Sequence, residues 1–142
     1  MVVFASKKRR TEEVLNKIKV LLNLSEAQVH YANPALVFDD DSWVLFVCPA
    51  YGDDELHLDM DDLIGSLKKF RNRYAICELG NYYGYEQKDF GCARIIRQKL
   101  NTLGGSEFHP SLSLDSLPEL DWNLLIEWGN SLSDRLRSEI DE

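Results

Sequence analysis

The sequence has no stretch of apolar residues long enough to cross a bilayer, and Lys7, Lys8, Arg9 and Arg10 cut off its short apolar start before it could act as a leader. No membrane partner is therefore expected, and the cytoplasm is the default compartment. Basic residues are in deficit: 16 Lys and Arg stand against 24 Asp and Glu, for a net charge of -8. A nucleic-acid partner is not expected, because holding a phosphate backbone takes a concentrated positive surface. A basic protein partner suits this charge better, since opposite fields speed encounter, although an acidic surface also simply keeps a protein in solution. Cysteine is sparse. Cys48, Cys77 and Cys92 are odd in number and lack CxxC spacing, which argues against a disulfide framework and against a zinc site. Cys48 and Cys77 fall inside apolar strand patterns and read as small buried hydrophobes. His30, His57 and His109 are scattered without HExxH or triad-like company, and neither a nucleophile elbow nor a Walker loop is present. No catalytic residue and no metal ligand are assigned. Repeats, low-complexity segments and linkers are absent, so residues 1–142 read as one domain, with 44% hydrophobic and 28% charged residues typical of a globule.

What is present is an alternation of strand and helix patterns. Met1 to Ala5 is a short apolar run without alternation, as in a parallel strand covered on both faces. Val14, Leu15, Ile18, Leu21 and Leu22 then recur at helical spacing from a start near Thr11, where Thr11 is an N-cap type and Glu12 and Glu13 suit the helix dipole. A weak strand is expected around Gln28 to Tyr31, and Trp43 to Cys48 (WVLFVC) is the clearest buried strand. Met60, Leu63, Ile64 and Leu67 mark a second helix behind Asp59, Asp61 and Asp62, and Tyr74 to Leu79 (YAICEL) another strand. Ala93, Ile96, Leu100 and Leu103 mark a third helix stopped by Gly104-Gly105, and Phe108 to Leu114 a last strand restricted by Pro110. Leu117, Leu120, Leu124, Leu125, Trp128, Leu132 and Leu136 make a closing helix, with Pro118 suited to its first turn. This alternation predicts a parallel sheet with helices on both faces and right-handed crossovers.

In such sheets ligands bind beyond the carboxyl ends of the strands, where the winding direction reverses. Three loops would open there. The first, Ser6-Lys7-Lys8-Arg9-Arg10-Thr11, puts four cations at a helix N-terminus, where they oppose the dipole unless an anion sits among the backbone amides; otherwise they form a solvated basic run. The second, Pro49-Ala50-Tyr51-Gly52-Asp53-Asp54-Glu55-Leu56, offers an aromatic ring followed by a glycine free to adopt unusual backbone angles. The third, Gly80-Asn81-Tyr82-Tyr83-Gly84-Tyr85, crowds three tyrosines between two glycines. One such loop would carry little weight, but the ordered set suggests a phosphate cradle and two aromatic walls for a flat cofactor. The carboxylates of Asp53, Asp54, Glu55, Asp59, Asp61 and Asp62 would repel charge gained by such a ring, or dock a basic partner; helix capping accounts for part of the cluster.

On these loops the chain resembles the flavodoxins, small FMN-binding electron carriers, over essentially its whole length. The resemblance implies a flavodoxin-like three-layer α/β sandwich with a five-stranded parallel sheet in the order 2-1-3-4-5, an order that is a standard example of the crevice rule and not a deduction from spacing. It implies that Ser6, Lys7, Lys8, Arg9, Arg10 and Thr11 form the phosphate loop, usually written T/S-x-T-G-x-T. Ser6 and Thr11 keep its outer positions, while Lys8 and Arg9 replace the inner hydroxyl and the glycine. Either the added cations compensate for the lost contacts or the phosphate site is altered or lost. Pro49, Ala50, Tyr51, Gly52 and Asp53 are similar to the second flavin loop, with Tyr51 stacking on the ring and the Gly52-Asp53 peptide rotating to accept a hydrogen bond from it when reduced. Gly80, Asn81, Tyr82, Tyr83 and Tyr85 look like the third loop, with Tyr85 the coplanar stacker, Tyr83 its substitute and Asn81 where Asp is common. The implied function is that of a monomeric, non-enzymatic carrier of single electrons between a basic reductase and an acceptor redox protein, in transient complexes. A flavin-free interaction module on the same fold, or a specialised redox activator such as the flavodoxin-like partner of a manganese ribonucleotide reductase, stays open. No second nucleotide motif supports direct use of NAD(P)H.

Overall fold

Apolar residues in the strands point alternately to two faces, and each face is covered by a pair of helices. The structure, a computed structural model, describes residues 1–40, 42–51, 55–80, 91–115 and 120–140. In chain order it places β1 (Val2–Phe4), α1 (Arg9–Leu21), β2 (Val29–Tyr31), β3 (Trp43–Tyr51), β4 (Glu55–Leu56), α2 (Leu58–Ser66), β5 (Arg73–Gly80), α3 (Cys92–Leu103), β6 (Ser106–Glu107), β7 (Leu112–Asp115) and α4 (Trp122–Ile140). Val2, Leu45, Val47, Ala75, Cys77 and Leu79 face α1 and α4, meeting Val14, Leu15, Ile18, Leu125, Trp128 and Leu132. Val3, Val44, Phe46, Cys48, Tyr74 and Ile76 face α2 and α3, meeting Met60, Leu63, Ile64, Ile96 and Leu100. Burying such side chains contributes about 1.5–3 kcal/mol each, which is why the strands read as unbroken apolar runs.

The strands run in the order β2-β1-β3-β5, and β6 and β7 both lie along β5. All of these pairings are parallel, so the sheet has five strand positions in the expected order, the fifth built from two pieces. β6 pairs beside Arg73 and Tyr74, and β7 beside Cys77 to Gly80. The continuous strand expected over Phe108 to Leu114 is thus interrupted. Pro110 has no N–H to give a ladder, and the carbonyls of the break turn to α4 instead: Trp128 Nε1 donates to the Pro110 oxygen and Arg135 Nη1 to the Phe108 oxygen, both at 2.8 Å.

Two helix starts differ from expectation. α1 begins at Arg9, with Lys8 at the N-cap and no side-chain capping bond, so Thr11 lies inside the first turn and is buried. α4 begins at Trp122, where the Asp121 carboxylate accepts from Leu124 N at 3.1 Å; Pro118 lies outside the described residues. The stop of α3 is as expected. Gly104 takes φ +109°, and Gly104 N and Gly105 N donate to the Asn101 and Leu100 carbonyls. No helix among the described residues is long and apolar enough to cross a membrane.

The break in the fifth strand buries His109 at 5% exposure against Trp128, with ring centroids 5.7 Å apart and Nδ1 lacking a hydrogen-bond partner among the described residues. Burial, aided by Arg135 and opposed by Glu107, lowers its pKa from the ordinary 6.5. The folded state therefore holds the neutral imidazole while the unfolded chain takes up a proton first. The stability this gives is complete above the unfolded value and is lost as pH falls through the folded one. We expect the urea midpoint to decline as pH drops below 6.5 and His109→Asn to remove that slope from the curve. An unaltered slope in the variant would assign the effect to other groups.

Candidate functional site

Because β1, β3 and β5 are parallel neighbours, their carboxyl ends open on one edge of the sheet, at the point where the chain turns from β1 outward to β2 on one side and β3 continues the sheet on the other. The chain therefore leaves β1, β3 and β5, at Ala5, Tyr51 and Gly80, along one edge of the sheet. Among the described residues, no group of three His, Cys, Asp or Glu side chains is placed to hold a metal ion.

The first segment is a tight turn. Ser6 is buried at 2% exposure and adopts φ 83°, in the left-handed region, while its Oγ accepts from Lys8 N at 3.2 Å. A non-glycine residue there costs about 1–3 kcal/mol and persists where the surroundings over-determine it. Here Ala5 N donates to the Val47 carbonyl at 3.1 Å on one side and α1 begins on the other. The cations spread outward from this turn. Arg9 Nε reaches Glu13 Oε1 at 2.8 Å and Arg10 Nη1 reaches Glu13 Oε2 at 3.3 Å, with the Arg9 side chain 91% exposed. Lys7 Nζ lies 5.1 Å from the centre of the Tyr31 ring. The Tyr31 hydroxyl in turn donates to Asp59 Oδ2 in the first turn of α2. Ser6, Lys7 and Tyr31 line a groove of about 450 Å³ beside the turn.

This arrangement fits a phosphate. The first amides of a helix have no intrahelical acceptor, and the N-cap residue Lys8 makes no side-chain capping bond to them. Arg9, at the position where the family pattern has glycine, sends its guanidinium along the helix to Glu13 and leaves the amide end uncovered. The inward groups are Ser6 and Thr11, both buried.

The second segment corrects the sequence reading. Pro49, Ala50 and Tyr51 are strand residues: Pro49 stands in register with Leu79, and β3 then folds back on β4 as a hairpin pairing Ala50 with Leu56 and Tyr51 with Glu55. Ladder pairing on β5 carries β3 past the end of its apolar pattern, which periodicity alone could not reveal. Gly52 and Asp53 lie outside the described residues. Behind the hairpin, His57 has a role the sequence did not suggest. Its Nδ1 accepts from Asp59 N at 3.1 Å and caps α2.

The third segment leaves β5 at Gly80, and Asn81, Tyr82, Tyr83 and Tyr85 lie outside the described residues. Its return is held by a residue that sequence reasoning missed. Glu78 is fully buried in β5; Oε2 accepts from Ala93 N at 2.7 Å and Oε1 from Ser113 Oγ at 2.7 Å. The carboxylate thus binds the N-terminus of α3 to β5 and β7. A lone acidic residue in the apolar YAICEL run was the available signal, since a charge buried on a doubly covered strand requires partners. Cys48 and Cys92, read as unbridged, bring their sulfurs together between β3 and the first residue of α3. They are 44 residues apart, and only the fold brings them together. Cys77, on the opposite face, is a free buried thiol whose pKa burial pushes upward.

We expect Glu78→Ala to cost about 3 kcal/mol of unfolding free energy, because it strips a charged acceptor from two buried donors. Glu78→Gln should lose less than half as much, since its amide oxygen can accept from Ala93 N while the Ser113 hydroxyl reverses to accept from the amide nitrogen. Equal losses in the two variants, measured by denaturant titration, would show that the hydrogen bonds are not what matters.

No family model and no curated protein matches the sequence. Solved structures do match. Oxidised flavodoxin 2 from Bacillus cereus is 18% identical with a TM-score of 0.72, covering 97% of each chain. Fusobacterium nucleatum flavodoxin bound to flavin mononucleotide is 14% identical with a TM-score of 0.68, covering 97% of this chain and 96% of its own. A cysteine-to-alanine variant of Pseudomonas aeruginosa flavodoxin is 20% identical with a TM-score of 0.71, covering 96% and 97%. With its strand order, its two helical layers and its uninterrupted overlap with these proteins, the chain has the flavodoxin-like fold.

Proposed function

We propose that this protein binds FMN without a covalent bond and carries single electrons between a reductase and an acceptor protein. The observation that carries this reading is the first turn. An uncapped α1 N-terminus, flanked by buried Ser6 and Thr11, opens on the edge where β3 and β5 deliver their own loops. The F. nucleatum neighbour with flavin mononucleotide bound has the same fold over 96% of its length.

In this reading the α1 amides and the hydroxyls of Ser6 and Thr11 hold the phosphate, and Lys7 and Lys8 add positive charge at its rim. The left-handed turn at Ser6 aims the chain into α1 without a glycine. The tyrosines Tyr51 and Tyr85, with Tyr83 as the substitute for the latter, stack on the ring and exclude water from it. The hairpin of β3 and β4 supplies backbone carbonyls beside it, and Asn81 an acceptor for its polar edge. Once bound, the flavin supplies one-electron chemistry that no side chain of the protein can provide. Asp61 and Asp62 are exposed on the first turns of α2 and give a basic partner a transient docking face. The same fold could also serve as a flavin-free interaction module. That reading draws on the engagement of Lys7, Arg9 and Arg10 with Tyr31 and Glu13.

Titration separates the two. FMN should bind with quenched fluorescence and riboflavin, which lacks the phosphate, much more weakly. Tyr51→Ala and Tyr85→Ala should each weaken FMN by roughly tenfold, since stacking contributes about 0.5–1.5 kcal/mol beyond burial and 1.4 kcal/mol is a factor of ten. Identical affinities for FMN and riboflavin would remove the phosphate site, and a protein that ignores both would favour the module.

A further inference from the structure

Tyr31 closes β2, a border strand laddered to β1, and stands in register with Phe4 at the end of β1. Its ring meets Phe4 edge to face, with centroids 5.2 Å apart and planes at 88°. Lys7 Nζ lies over the same ring, 5.1 Å from its centre. The hydroxyl donates to Asp59 Oδ2 in the first turn of α2, and Asp59 N in turn donates to His57 Nδ1 at the cap of that helix. One side chain therefore joins β1, the first turn and α2.

Phe4 and Lys7 flank Ala5 and Ser6, where the chain takes its left-handed turn at Ser6 φ 83°. Such a turn persists only where its surroundings over-determine it. Backbone bonds from Ala5 N to the Val47 carbonyl and from Ala32 N to the Phe4 carbonyl, at 3.1 and 2.8 Å, hold the strand side. The Tyr31 ring reaches across the turn to Lys7 as well. How Lys7 is held matters for an anion. Arg9 and Arg10 spend N–H donors on the Glu13 carboxylate, which also offsets their charge. Lys7 rests on an uncharged ring instead, and a ring face attracts an ammonium without neutralising it. Its charge and its outward N–H donors stay available beside Ser6, in the groove that Ser6, Lys7 and Tyr31 line together.

We propose that Tyr31 is a positioning residue of the phosphate turn: anchored by Asp59, it sets the turn at Ser6 and presents the Lys7 ammonium to the phosphate of the ligand. A residue of β2, outside the three loops, thereby makes the site selective for phosphorylated over unphosphorylated flavin. The identity of the ligand rests on the FMN reading, whereas the role of Tyr31 rests on its contacts with Phe4, Lys7 and Asp59.

The test compares the full wild-type chain with Tyr31→Leu, Tyr31→Phe, Lys7→Gln and the Lys7→Gln/Tyr31→Leu double variant. Each is titrated with FMN, with riboflavin and with inorganic phosphate, the last followed by the amide resonances of Ser6 to Thr11. Tyr31→Leu should weaken FMN about fivefold, the scale of one cation–π contact, and leave riboflavin unchanged. Tyr31→Phe keeps the ring, loses the Asp59 tether and should weaken FMN less, again without touching riboflavin. Lys7→Gln should match Tyr31→Leu, and the double variant should be no weaker than either, because the ring acts through the ammonium. Inorganic phosphate should move the turn's amides at lower concentration in the wild type than in Tyr31→Leu. Should Tyr31→Leu fail to fold, Tyr31→Phe and its double with Lys7→Gln carry the same comparisons. FMN and riboflavin weakened alike, additive losses in the double variant, or a phosphate response indifferent to Tyr31 would each overturn the assignment. A wild-type protein that ignores FMN yet shows the Tyr31-dependent phosphate response would sink the flavin reading and leave the positioning role standing. One that answers to neither FMN nor phosphate would sink both.

Discussion

The ladder between β3 and β5, with Trp43 to Pro49 in register with Arg73 to Leu79, is the constraint from which the other features follow. It is long, parallel and apolar on both faces, so it can exist only with a helix pair on each side. Parallel direction puts the carboxyl ends of β1, β3 and β5 together, and that edge gathers the chemistry. It also carries β3 beyond its apolar run and sets Cys48 opposite Glu78, beneath the start of α3.

The N-termini of α1 and α3, both on this edge, are treated differently. At α3 the protein supplies its own anion: the Glu78 carboxylate accepts an amide hydrogen of the first turn and is completely removed from water. At α1 the N-cap residue Lys8 makes no side-chain capping bond, and the acidic residue of the first turn, Glu12, lies within the helix. Both arginines of the basic run after Ser6 fold back on Glu13.

The layers were legible because burial writes itself into periodicity, whereas the strand order was legible only through the resemblance to the flavodoxins. WVLFVC and YAICEL read as two-faced strands, and Gly104 marked the end of α3. What escaped was set by partners distant in sequence. Lys8 replaced Thr11 at the N-cap because the turn at Ser6 starts the helix early, and Pro110 broke its strand because α4 offered Trp128 and Arg135 to the freed carbonyls. Glu78 was visible as an oddity in its strand, but its partners lie 15 and 35 residues away. The Cys48–Cys92 contact left no local trace at all, and His57 gave no hint that it would cap α2.

The interruption at His109 and Pro110 also governs how one molecule meets another. A sheet edge polymerises when a long flat row of amides and carbonyls stands ready to receive a foreign strand. Here one border is the three-residue β2, and the other is cut into pieces of two and four residues by a proline-bearing kink clamped from above by α4. Among the described residues, neither border presents the long flat row that such growth requires.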